Sequence, residues 1–202
     1  MRRRNLLLGA GAALTGVSSL VAWRYWPEQG FWNPCHARLP RHLADHDLVR
    51  AAWEGLDAAK VWDSHAHLIG TGDAGSGIYA NLQTTSLLNP RQYARRLFIL
   101  NAGCVHDAAG SVDDAYVDRM RNLVDGLRRG NENRAKVLLF AFERAHHEDG
   151  APDLEHTMFH VPDSYARDVA KKFAQDFEWA ASIHPYRRDA LDALAQAKRD
   201  GA

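Results

Sequence analysis

The residues best suited to chemistry open the body of the chain. Asp63-Ser64-His65-Ala66-His67 follows the pair Val61-Trp62 and runs into the glycine-rich stretch from Gly70 to Gly77. On a strand, side chains alternate between faces, so His65 and His67 point the same way. Two imidazoles on one face at a strand's end can ligate one transition-metal ion, and an Asp63 on that face would be a third ligand or an acceptor that orients one. The plain alternative is two histidines meeting a polar loop. Towards the other end, His184-Pro185-Tyr186-Arg187 offers an imidazole, a phenol and a guanidinium within one turn. That set can anchor an anionic or carbonyl group of a small-molecule substrate. The polar stretch between Glu143 and Pro162 adds His146, His147, His156 and His160, which read as solvated loop residues. Gly70 to Gly77 is not a phosphate loop, because it lacks both the Gly-Lys-Ser/Thr ending and the GxGxxG spacing.

The elements that must hold these residues alternate in type. Val61 to His65 reads as a first strand. Lys136 to Phe142 is a continuous apolar run without alternation, the pattern of a strand buried on both faces of a parallel sheet. Trp179 to Pro185 reads as a third strand that ends in His184. Between them the apolar spacing predicts helices: one from about Arg41 to Asp57, one after Asn89-Pro90 stopping near Gly103, and one opened by the capping-box-like Ser111-Val112-Asp113-Asp114 and ended by Gly130. Two more follow, one from Ser164 with Tyr165, Val169, Phe173 and Phe177 facing inward, and one after Asp189. Crossovers of this length suit parallel pairing. In such α/β folds functional residues gather at the carboxyl ends of strands. All three strand ends qualify, with His65 and His67 on the first, Glu143 past the second and His184 on the third.

Composition bounds the function classes. The 202 residues are 46% apolar, ample for one medium domain, and Lys+Arg equals Asp+Glu at 25 each. Such a balance lacks the basic footprint of a nucleic-acid binder, so no nucleic-acid partner is expected. Eleven histidines lean towards metal chemistry. Cys35 and Cys104 lack CxxC spacing; they could form one bridge in an oxidising compartment or remain two buried thiols. Residues 1 to about 26 read as a targeting segment, a basic start followed by a small and aliphatic run. Arg3-Arg4-Asn5-Leu6-Leu7 resembles the twin-arginine export signal of bacteria, which implies the twin-arginine machinery as a partner and a periplasmic destination. Trp23, Tyr25 and Trp26 stand where interfacial aromatics would retain an uncleaved leader at the membrane, so signal peptide and membrane anchor both stay open. Residues 27–60 follow as a linker and a helix, and 61–202 as the α/β body.

Two motifs together make a resemblance specific. Asp63-Ser64-His65-Ala66-His67-Leu68, with Ala181-Ser182-Ile183-His184-Pro185-Tyr186-Arg187-Arg188-Asp189-Ala190-Leu191, resembles the amidohydrolase superfamily, in particular its amidohydrolase-related branch of metal-dependent hydrolases. The resemblance runs from about residue 41 to the end. It implies a (β/α)8 TIM barrel, with His65 and His67 binding a divalent metal, zinc above all. It also implies metal-activated water acting on a C–N, C–O or related bond, with decarboxylase-like chemistry within the same range. In the family the base is usually an Asp at the eighth strand, and further ligands come from strands four to six. This chain offers about three βα units; a complete barrel takes about 250 residues, and about 140 follow Val61. The expectation is therefore the N-terminal portion of an exported metal-dependent hydrolase, inactive alone because its remaining ligands and base are missing. Three rivals are a TatD-type metal-dependent nuclease, a non-catalytic remnant or binding module, and a histidine-rich metal-sequestering protein.

Overall fold

The computed structural model describes residues 16, 19, 33–36, 40–57, 60–106, 108–127 and 135–202. Met1–Pro34 and Cys35–Ala202 are separate compact units. The export leader falls in the first, outside the described residues apart from Gly16 and Ser19, which are helical. The helix stop at Gly130 lies outside them too. Among the described residues no helix is long and apolar enough to cross a membrane.

The second unit is mixed α/β, built on a parallel three-stranded sheet. Its strands β1 (Trp62–His67), β3 (Lys136–Phe140) and β5 (Phe177–Ala180) lie side by side in that order. The register pairs His67 with Phe140 and Phe140 with Ala180, so the three strands finish level with one another. Val137 and Leu139 of β3 are buried, whereas Lys136, Leu138 and Phe140 are half-buried. The apolar run therefore has one fully covered face, not two. Clustered with it are Phe177 and Trp179 of β5, together with Tyr116, Val117, Met120 and Val124 of the helix Val112–Leu127.

Six helices are described: α1 (Arg41–Ala44), α2 (Asp47–Ala52), α3 (Pro90–Ala102), α4 (Val112–Leu127), α5 (Asp163–Lys172) and α6 (Ala190–Arg199). Three of them begin where the sequence places them, but only one start is capped as expected. Pro90 opens α3 and Ser111 Oγ accepts the Asp114 N–H of α4 at 3.2 Å, whereas Asn89 and Asp189, the expected caps of α3 and α6, make no side-chain capping hydrogen bond. Two expectations change. The helix placed over residues 41–57 is broken, because the His46 ring accepts the Leu48 N–H and starts a new helix instead of extending the old one. That new helix, α2, buries none of its residues. The helix placed from Ser164 through Phe177 starts at Asp163 and stops at Lys172, and Phe177 is the first residue of β5. Phe173 and Phe177 keep their i, i+4 spacing across a turn, their rings perpendicular at 6.4 Å, which helical periodicity cannot distinguish from one more turn of helix.

The loops beyond β1 and β3 also pair. Tyr79–Ala80 (β2) runs antiparallel to Phe159–His160 (β4), and Phe142 bridges Val161. This small ribbon covers the carboxyl end of the sheet and turns the polar 143–162 stretch into ordered structure. Cys35 and Cys104 form a disulfide, which closes the question the spacing left open.

Candidate metal centre and the strand-exit cavities

His65 and His67 occupy the last turn of pleat on β1. Their Nε2 atoms are 3.2 Å apart. Two nitrogens bound to one tetrahedral zinc at about 2.0–2.1 Å would be about 3.3–3.4 Å apart, so the pair fits two corners of such a site. Both rings lean on Phe140, with centroids at 5.3 and 5.6 Å, and His67 also meets Phe142 at 5.8 Å. Partial burial, and secondarily the neighbouring His65, lower the His67 pKa and favour the neutral ring that a metal ligand must be. The backbone behind the pair is pinned by Tyr116, whose hydroxyl donates to the His67 carbonyl at 2.9 Å. Burial raises the Tyr116 pKa to about 12, so that hydroxyl keeps its proton.

Asp63 does something different from ligation. The register slips between Asp63 and Ala66, three steps on β1 matching two on β3, as in a β-bulge. The Asp63 carboxylate accepts the His65 N–H at 3.1 Å. Its interaction is with the bulged backbone, not with an imidazole. Among the described residues no group of three His, Cys, Asp or Glu side chains converges as a metal cage. The histidine pair thus fits a divalent ion as two ligands of an unfinished set.

The exits of β3 and β5 build a second, charged cluster. Glu143 has a side chain only 9 % exposed, and its Oε2 accepts from Arg187 Nη1 at 2.9 Å. The Glu143 N–H donates to Ser182 Oγ at 3.0 Å, and the Ser182 N–H donates to Asp163 Oδ1 at 2.9 Å. Burial raises the Asp163 pKa, with Glu143 adding to the effect. Arg187 also grips Asp189 with two hydrogen bonds, at 2.7 and 3.1 Å. Those ion pairs raise its pKa further, and they occupy much of the fork that a substrate anion would use. His184 lies four residues past the last residue of β5, because that strand ends at Ala180. It stacks on His146 at 5.3 Å and accepts the Tyr186 N–H on Nδ1, while Tyr186 itself is exposed.

The loop histidines divide into two pairs. His147 and His156 are solvated, as expected, and flank Asp153. His146 and His160 are buried, their side chains 5 % and 6 % exposed, the first stacked on His184 and the second paired with Tyr79 in the β2–β4 ribbon. His160 Nδ1 donates to the Phe142 carbonyl at 2.7 Å, and Nε2 receives Arg144 at 2.7 Å. Burial first, then Arg144, lower its pKa.

Two cavities open at this end of the sheet. One, of about 510 Å³, is lined by Glu143, His146, His160, Asp163, Ser182 and Arg187. The other, of about 590 Å³, has His67 and Glu143 on its wall and is otherwise mainly apolar, with α3 along one side. The structure therefore gathers His67, Glu143 and Arg187 around adjoining spaces and leaves Tyr186 at the surface. The α3 lining, with Arg95 and Arg96, belongs to no motif that the sequence singles out. Fold and site together define a mixed α/β protein whose parallel strands deliver histidine, glutamate and arginine to cavities at their carboxyl ends. No family model, curated protein or solved structure matches the chain.

Proposed function

We propose that this chain carries the first-strand half of the metal centre of an amidohydrolase-type, metal-dependent hydrolase, forming the N-terminal part of its (β/α)8 barrel. The single observation that carries the reading is the 3.2 Å approach of His65 Nε2 to His67 Nε2 at the carboxyl end of β1, beside a cavity of about 590 Å³. A divalent ion, with zinc the best match to imidazole nitrogen, would be held by these two side chains and by ligands beyond the described set. Bound there, it would supply Lewis acidity and lower the pKa of a coordinated water towards about 7. The chain's own residues do the rest. Tyr116 fixes the backbone under His67, and Phe140 and Phe142 pack against the imidazole rings. The Cys35–Cys104 disulfide supports the exported, oxidising setting that the leader implies.

The test is zinc titration by calorimetry of the full chain and of His65→Ala and His67→Ala. Two ligands alone hold zinc weakly, so affinity in the micromolar range or weaker is expected, with at least about tenfold loss in either variant. Hydrolysis of esters or amides by the 202-residue chain should be at background. Zinc uptake unchanged by both substitutions would overturn the assignment.

A further inference from the structure

The face of α3 that lines the 590 Å³ cavity is chemically unlike the other walls. Gln92, Arg95, Arg96, Ile99 and Leu100 recur at i, i+3, i+4, i+7 and i+8, one stripe of a helix, and all five line the cavity. Such a stripe usually packs on the core, yet here only Leu100 and Asn101 of α3 are buried.

Two observations on this stripe point to a ligand site. Gln92 Oε1 is buried and has no hydrogen-bond partner. A buried amide oxygen left unpaired costs about 1–3 kcal/mol, so it marks a place where a donor belongs. The second observation is charge. Among the described residues, Arg121, Arg144, Arg167 and Arg187 are each tied to a carboxylate, whereas Arg95 and Arg96 have neither ion pair nor hydrogen bond. Two uncompensated guanidiniums at an apolar cavity attract an anion, and their planar forks match carboxylate or phosphate. Apart from these groups the cavity is mainly apolar, with Leu68, Ile69, Phe142, Met158 and Phe159 among its walls. Its volume lies within the range of small-molecule sites.

We propose that this cavity binds an amphipathic organic anion. Arg95 and Arg96 would hold its carboxylate or phosphate, the apolar walls its aromatic or aliphatic body, and Gln92 Oε1 a hydroxyl or N–H of the same molecule. Because His67 stands on the same wall, the anion is the substrate class of the proposed hydrolase. The fate of the bound molecule rests on that reading, and its binding does not.

The experiment is calorimetric titration of the full chain in chelator with 4-(4-hydroxyphenyl)butyrate, its neutral amide, 4-phenylbutyrate and 4-phenylbutyl phosphate. One anion, carboxylate or phosphate, should bind at least about tenfold tighter than the amide, and whichever binds tighter identifies the anion. Arg95→Gln/Arg96→Gln should abolish that preference while leaving the weak binding of the amide unchanged, and Gln92→Leu should abolish the preference for the hydroxylated acid. An unchanged thermal midpoint shows that the variants fold. Equal binding of acid and amide, no binding of any probe, or a preference that survives the double substitution would overturn the proposal. Because every titration is metal-free, failure here leaves the histidine-pair reading standing, and failure of zinc binding leaves this one standing.

Discussion

Glu143 is held in a nearly dry position by Arg187 at 2.9 Å, and that guanidinium is itself shared with Asp189. A pair of this kind contributes modestly when intact, yet losing Arg187 leaves the buried Glu143 carboxylate with only the more distant Arg144, at 3.7 Å, as a countercharge. Arg187→Met should therefore destabilise the fold by about 2 kcal/mol, less than a fully buried pair would, since Arg187 is 31 % exposed. Urea unfolding measures it, and the Glu143→Gln/Arg187→Met double variant should recover part of the loss. Glu143 stands out in the sequence as a strand-exit residue, and Arg187 as part of the His184-Pro185-Tyr186-Arg187 turn. Their mutual engagement does not, because 44 positions separate them. Asp63 teaches the same lesson in reverse. Strict alternation puts it beside the histidines, and one bulge hands its carboxylate to a backbone amide instead.

The glycine-rich loop and α4 are locked together by two aspartates in opposite directions. Asp113, fully buried near the start of α4, accepts from the Thr71 and Gly72 N–H groups at 2.7 and 3.1 Å and from Ser76 Oγ at 2.6 Å. Asp73 reaches back to cap α4 through Ser111 Oγ and the Val112 and Asp113 N–H groups. Desolvation raises the Asp73 pKa, but those hydrogen bonds together outweigh it and draw the value down to about 2. Gly70 is required because a Cβ there would collide with the Asp113 carboxylate and with Ile78 Cδ1. Asp113→Ala should cost about 2–4 kcal/mol in urea unfolding, since it strands several donors at once. It should also weaken zinc retention by the β1 pair, which that loop follows directly. The disulfide acts on a longer span, joining Cys35 and Cys104 across a sequence separation of 69. Chain entropy for a loop of that length is worth about 4 kcal/mol, so Cys35→Ser/Cys104→Ser should unfold at clearly lower urea. Reduction of the unmodified chain should reproduce the effect.

Acid should loosen the whole second unit before it touches most carboxylates. His160 and His67 both have pKa values lowered by burial, so the unfolded chain binds more protons than the folded one as pH falls through the ordinary histidine value near 6.5. Stability is therefore full above that value and lost as pH drops towards the lowered folded values. At His160 burial is joined by Arg144, which donates to Nε2 and must be displaced before that nitrogen takes a proton. Asp163, whose pKa is raised, works the other way and favours the fold at lower pH. Urea midpoints at pH 7.5 and 5.5 should show a clear drop, and His160→Gln should shrink that drop. The existence of three strands, their parallel pairing, the α3 and α4 starts and the histidine pair were legible in the sequence, because apolar period, proline and His-x-His spacing are set by near neighbours. The break at His46, the turn hidden inside Tyr165 to Phe177, the burial of His146 and His160, the disulfide and the unpaired Arg95 and Arg96 were not. Each depends on which distant segments meet, and tertiary packing alone supplies that, because burial and charge pairing are properties of a residue's surroundings.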